Sequence, residues 1–325
     1  MMSNAELTLT LEPAADTRRP LALTPGEDLR GYVASRLGRA VLFLITLTSV
    51  LAVVLILLFV IVRSLGFLSG YSIIEFLGSL DWRPTADSPV FGSLAILVGS
   101  LYVSFAALVF AVPVGILAAV FLSDVLSWRA RNLVKPVVEV LAAIPSVAYG
   151  FFAVLVLAPW MQKHFGFSTG TNALNASLIL AVMALPTIIS VAEDSISALG
   201  RELREASYSC GATRMETMLK VVIPAAHSGI IAAVVLGMMR AIGETMVVWM
   251  ASGNATQIPH PWWDLSQSIR TMTATIAGEM GEAPEGSQHR GALFVIGVLL
   301  LILTFGLNLV SEYFLSRAKK AAGRS

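Results

Sequence analysis

Six long apolar stretches constrain this chain more than any other feature. They run from Ala40 to Val62, Phe91 to Leu122, Val134 to Pro159, Ala173 to Val191, Gly229 to Ala251 and Gly291 to Ser311. Each is close to the about 20 residues that a helix needs to cross hydrocarbon. No water is available there, so backbone polar groups must bond within their own segment, and helices are expected. Composition agrees, since 56% of the 325 residues are hydrophobic and 13% are charged, about half the charged share of a soluble domain. The sequence predicts an all-α integral membrane protein with six transmembrane helices.

Charge and cysteine usage exclude several classes. The net charge of +1 gives no basic field for nucleic acid. Cys210 is the only cysteine, which excludes an intramolecular disulfide. His164, His227, His260 and His289 lie far apart without metal-ligand spacing, so no metal site is expected. Residues 1–39 are polar, carry Pro13, Pro20 and Pro25, and precede any apolar run; they read as a flexible cytoplasmic tail rather than a signal peptide. Residues 40–62 are the first transmembrane helix, and 316–325 form a second cytoplasmic tail. With the first tail inside, the same side collects Arg129 to Lys135, Arg201 to Lys220 and Arg317 to Arg324, while the other holds only Arg63, Arg83, Lys163, Arg270 and Arg290. The excess of Lys and Arg places both termini in the cytoplasm.

Two connections are long. In the outer one, Leu265, Ile269, Met272, Ile276 and Met280 recur at helical spacing. They predict an amphipathic helix over about 262–281, lying on or dipping into the outer face. Trp262 and Trp263 read as interfacial anchors. The inner connection, 197–224, contains "REASYSCGATRMETMLKVVIPAA". Its charges alternate in sign, and Gly211 separates two short helical patterns before Pro224 starts another helix. By itself this is a rigid knob or a solvated helical linker.

The fifth stretch carries two charges, in "LGMMRAIGETMVV". Arg240 and Glu244 are one turn apart on a continuous helix, in the Arg-before-Glu order that is the poorer one for helix stability. An ion at a helix centre costs about 2.5–3.5 kcal/mol on insertion. The pair is either a substrate-path element or a structural pair, including one with a partner subunit. In the third stretch, Pro145, Ser146 and Tyr149 of "AAIPSVAYGFF" mark a bend. It either lines a pathway or is a packing kink with Gly150 at a close helix contact. Lys135 and Glu139 need only snorkel to an interface.

The inner loop resembles the EAA loop of binding-protein-dependent ABC importer permeases. Glu205-Ala206 is followed by Gly211, Val221 and Ile223-Pro224 at the family spacing, with Ser207 in place of the second Ala. The resemblance implies a type I ABC importer permease fold with a permease core over 91–315. It also implies a coupling loop in which Glu205, Ala206, Gly211 and Pro224 engage a separate ATPase, Glu205 bonding the ATPase or only Arg201 one turn earlier. No Gly-x-x-x-x-Gly-Lys-Ser/Thr loop occurs, so ATP and Mg belong to that other chain.

"RAIGETMVV", "AAIPSVAYGFF" and "TMTATIAGEMGEA" resemble the C-type permease of the phosphate-specific (Pst) importer. What this implies is a permease and not an enzyme, with no catalytic residues or cofactor of its own, in a prokaryotic cell membrane. It would move inorganic phosphate inward, with Arg240 and Glu244 on the substrate path. Its partners would be a PstA-type permease forming a heterodimer, two copies of a PstB-type ATPase and a PstS-type phosphate-binding protein. Another oxyanion importer is the nearest alternative. A stand-alone secondary transporter or channel is a further one and leaves the EAA spacing unexplained.

Overall fold

The computed structural model describes the backbone of residues 25–321 and the side chains of 35–317. Its regular elements are helices and one short hairpin, β1 (Trp82–Arg83) with β2 (Val90–Phe91), in which Trp82 pairs with Phe91. Helix α1 covers Pro25–Leu68. It starts fifteen residues before Ala40, so 25–39, expected to be tail, are helical, as are 316–321 at the other end; the rest of the expected tails, 1–24 and 322–325, lies outside the described residues. Up to Leu58 the helix belongs to a unit separate from 59–325. Its apolar side chains there, such as Leu42, Phe43, Leu51 and Ile56, are exposed, as suits lipid.

In the main unit come α2 (Ile73–Gly78), α3 (Leu94–Val120), α4 (Trp128–Ala143), α5 (Ser146–Phe152), α6 (Ala158–Phe165), α7 (Ala173–Ser197) and α8 (Glu202–Ser209). They are followed by α9 (Arg214–Thr217), α10 (Ile223–Ala225), α11 (His227–Gly243), α12 (Met246–Ala251), α13 (Met272–Glu279) and α14 (Gln288–Ala321). Helix α3 ends in a π-helical segment, Phe121–Val125, and further π segments follow α5 and α9.

Among the described residues four helices, α1, α3, α7 and α14, are long and apolar enough to span by themselves, and there are up to six spans if each of two bent pairs counts as one. The third stretch is one such pair, bent by 83° between α4 and α6. Pro145 explains it: the residue before a proline is forced out of helical geometry, and Ile144 sits extended at φ −65°, ψ 128°. The other bend, 69°, precedes α11.

The main core lies between α3, α7 and α11, where Val103, Ala107, Ala111, Ala176, Leu180 and Ala184 are buried together. Small side chains at helical spacing let the backbones approach closely, which is how helices associate where no hydrophobic driving force separates them from lipid. The outer amphipathic helix differs from expectation. Only 272–279 is helical, and Ile269 and Met272 are 0% and 2% exposed, packed in two cores rather than spread over a surface. Trp262 and Trp263 stay exposed. The segment is held by Glu279, which accepts from Trp82 Nε1 (2.9 Å) and pairs with Arg270 (2.7 Å) and His289 (2.8 Å).

Candidate functional site

The fifth stretch is not one helix. α11 stops at Gly243, Glu244 is extended at φ −73°, ψ 132°, and α12 begins at Met246. Arg240 and Glu244 therefore do not share a helical face, and no ion pair joins them among the described contacts; Glu244 does not hold Arg240 in place. The four-residue spacing carries that geometry only while the helix continues.

Arg240 sits in the last turn of α11, where the helix dipole favours a cation. It is exposed, and its Nε donates to the Met183 carbonyl at 3.1 Å, in a stretch of α7 loosened by Pro186. No ion pair joins its guanidinium to a carboxylate among the described residues. Glu244 is half-buried, its Oε1 accepting from the Thr245 N–H at 3.2 Å. Around it Ser100, Ser104, Thr271 and Thr273 pack together with Val103, Leu180, Ala241, Ile242 and Val248, leaving no room for a water molecule between them. Thr273 donates to the Glu244 carbonyl (2.8 Å), and Ser100 accepts from the Met272 N–H (2.8 Å). Sequence reading missed this shell. Ser100 and Ser104, four apart on α3, and alternate threonines at 271, 273 and 275 were the signal available.

The third-stretch bend faces the same region. The Tyr149 hydroxyl donates to the Leu141 carbonyl at 3.0 Å, stapling α5 to the end of α4, and lies within reach of the Arg240 charge. Gly150 is at a close helix contact, since a Cβ there would lie 2.6 Å from Met250 Sδ on α12. Ser146 is half-buried at the start of α5, just beyond Pro145. The packing-kink reading of this bend thus has a direct geometric basis.

The inner loop forms two short helices at a glycine turn. Gly211 has φ +84°, a left-handed conformation that a side chain would strain. Thr213 then caps α9 in a reciprocal box with Glu216. These bonds and Lys220 favour the ionised form, so the Glu216 carboxyl is held below its ordinary range, the Thr213 backbone N–H contributing most. Ser207, standing where the family has alanine, bonds Thr217 across the turn at 2.8 Å. Glu205 and Ala206 lie exposed on α8, and Glu205 makes no ion pair with Arg201 among the described contacts. Pro224 opens α10.

This loop is bolted to the bundle. Arg204 of α8 holds Asp124 at the end of α3 through Nε–Oδ1 (2.6 Å) and Nη2–Oδ2 (3.2 Å), and also donates to the Ile196 and Gly200 carbonyls. Beside it, fully buried Glu193 pairs with Arg131 and with Lys135 (2.8 Å) and accepts from Ser197 (3.0 Å). Lys135 does not simply snorkel. It reaches Glu193 and Asp194 on α7, and Glu193 is an internal ion that the sequence reading placed just past its fourth stretch.

Comparison with known proteins now decides the family. The model of the binding-protein-dependent transport system inner membrane component matches residues 111–320. This chain belongs to that family. It is 38% identical over 284 residues to a probable ABC transporter permease protein, YqgH, of Bacillus subtilis, covering 87% of this chain and 91% of that protein. It is 33% identical to the phosphate transport system permease protein PstC of Pasteurella multocida, with 77% and 82% coverage, and 34% identical to that of Mesorhizobium japonicum, with 77% and 80%.

Among solved structures, an inward-facing MetNI methionine ABC transporter chain matches with a TM-score of 0.51 at 20% identity, over 68% of this chain and 93% of that one. The fold is that of a type I ABC importer permease. The chain is a multi-pass transport component, not an enzyme, and its family works with ATPase and binding-protein components.

Proposed function

We propose that this chain is the C-type permease of an ATP-driven phosphate importer, with Arg240 and Glu244 on its substrate path. The observation that carries the reading is Arg240 itself: an exposed guanidinium in a membrane span, engaged by one backbone carbonyl and paired with no carboxylate among the described residues. Facing lipid it would be expensive, so it faces a polar path or a partner. Its planar fork matches two phosphate oxygens. Glu244, half-buried at the break, supplies an acceptor for a protonated phosphate oxygen, a donor that sulfate lacks. The relatives named PstC support phosphate as the cargo.

In this reading a PstA-type permease completes the pore, two PstB-type ATPases use ATP and Mg, and a PstS-type protein delivers phosphate from outside. Both termini lie in the cytoplasm, and this chain needs no cofactor of its own. Glu205, Ala206, Gly211 and Pro224 form the coupling surface, and the Arg204–Asp124 clamp carries its displacement to α3. The bend at Pro145, Ser146 and Tyr149 backs the path at Arg240.

The test is ATP-dependent uptake by the complete complex in proteoliposomes, with sulfate, molybdate and arsenate as competitors. Arsenate is expected to compete and sulfate and molybdate to be ignored; efficient sulfate or molybdate competition points to another oxyanion. Uptake that persists without ATP removes the importer reading. Arg240→Lys, which keeps charge but not the fork, is expected to transport poorly.

A further inference from the structure

A groove of about 490 Å³ lies between the end of α1 and the start of α14. Its apolar lining is Phe59, Val62 and Phe67 of α1 and Phe294 of α14, and Arg63 and Arg290 also line it. Its place in the fold is fixed by two contacts. The Phe67 ring meets Phe91 edge-on at 5.4 Å, just before α3 begins. The Arg204–Asp124 clamp sits beyond the other end of that helix. The 27 residues of α3 separate these points by about 40 Å, so the groove opens at the membrane interface opposite the coupling loop. The apolar run of α14 starts there, at Gly291.

The two arginines are poorly compensated. Arg63 is exposed, lies over the Phe59 ring at 5.3 Å, and forms no ion pair among the described residues. Arg290 reaches Glu285 only at 3.6 Å, and that carboxylate is 91% exposed. Two cations face one solvated anion. Gly66, which also lines the groove, has nothing within 4 Å of where a Cβ would be.

We infer that this groove binds an anionic phospholipid, its phosphodiester between Arg63 and Arg290 and an acyl chain along Val62 and Phe294. Charge complementarity selects the head group: arginine forks suit phosphate oxygens, and a choline head would add a third cation. The apolar lining selects a lipid over a free anion, because inorganic phosphate gains nothing from four hydrophobic side chains. The ligand differs from the cargo in place and chemistry, so the inference stands apart from the phosphate-path reading.

The experiment titrates the purified full complex in detergent with phosphatidylglycerol, phosphatidylcholine or inorganic phosphate, reading bound lipid by native mass spectrometry and melting temperature in parallel. Phosphatidylglycerol is expected to be retained preferentially and to raise the melting temperature saturably. Arg63→Gln with Arg290→Gln is expected to abolish the preference, about fivefold for each arginine, while leaving the lipid-free melting temperature unchanged. Gly66→Leu fills the groove without touching either charge, and it too should lower phosphatidylglycerol retention; it decides the matter if the double variant does not fold. Equal retention of the two lipids overturns the inference, as does an undiminished preference in the double variant. The same saturable shift from inorganic phosphate, or hydrogen-exchange protection of 285–291 that added lipid does not alter, points to a small-anion site or to a covering partner subunit and equally overturns it.

Discussion

The coupling end of the bundle and the break at Glu244 treat charged side chains in opposite ways. At the coupling end, Asp124 has Arg204, and buried Glu193 has Arg131 and Lys135. At the break, Arg240 has one backbone carbonyl and Glu244 one backbone N–H. Complementary, desolvated charges are costly to separate, so the first region moves as one piece and suits a lever. Sparsely engaged charges keep donors and acceptors for a ligand, so the second suits a path. The pattern of engagement, more than the residue types, distinguishes the two roles.

The contrast breaks most readily at Arg240. Arg240→Ala is expected to cut ATP-dependent phosphate uptake by about 100-fold, the loss of two charge-assisted hydrogen bonds at about 1.5 kcal/mol each, with the melting temperature of the complex unchanged. A melting temperature that falls in step with uptake would make Arg240 a structural residue and erase the distinction.

At the other end the order of effects reverses. Glu193→Gln leaves Arg131 and Lys135 without their buried counter-charge and is expected to cost about 3 kcal/mol of stability, measured by denaturant unfolding. Asp124→Ala, at a partly solvated pair, is expected to cost about 2 kcal/mol. It should uncouple as well, so that ATP hydrolysis continues while uptake falls further. Hydrolysis and uptake declining together would show that the clamp transmits nothing specific.

A smaller effect belongs to the bend that joins the two regions. Tyr149→Phe removes one neutral hydrogen bond to Leu141 and is expected to cost about 1 kcal/mol, read from thermal unfolding. A large loss of uptake at unchanged stability would put the hydroxyl itself on the path.

Smallest of all is the pH response of the coupling turn. The native Glu216 carboxyl is held below its unfolded range, so its contribution is present above that range and disappears as pH falls through the lowered native value. Amide exchange of 213–217, corrected for its intrinsic pH dependence, should accelerate on acidification and should do so less in Glu216→Gln. Equal acceleration in both proteins would assign the effect to another group.

Several features were legible without the fold. The six apolar stretches announced a helical membrane protein because hydrocarbon forbids unsatisfied backbone, and the stop at Gly211 was readable because a left-handed turn favours glycine. The bend at Pro145 was readable for a similarly local reason, that proline displaces its predecessor.

What a single stretch could not reveal were relations between stretches. In "RAIGETMVV" Gly243 weakens the helix but does not by itself end it; the break at Glu244 is held by Thr273 from a segment 29 residues on. The amphipathic face at 265–280 reported burial correctly but not what it is buried against, which is protein on both sides. Lys135 and Glu193, 58 positions apart, became partners only when α4 was laid against α7. By itself the sequence determined which segments are apolar enough to enter a membrane and where Gly211 and Pro145 turn the backbone, since those depend on transfer energies and steric limits of neighbouring residues. The tertiary structure alone decided which charges were paired and which were left open, because pairing depends on distances in space that no local pattern encodes.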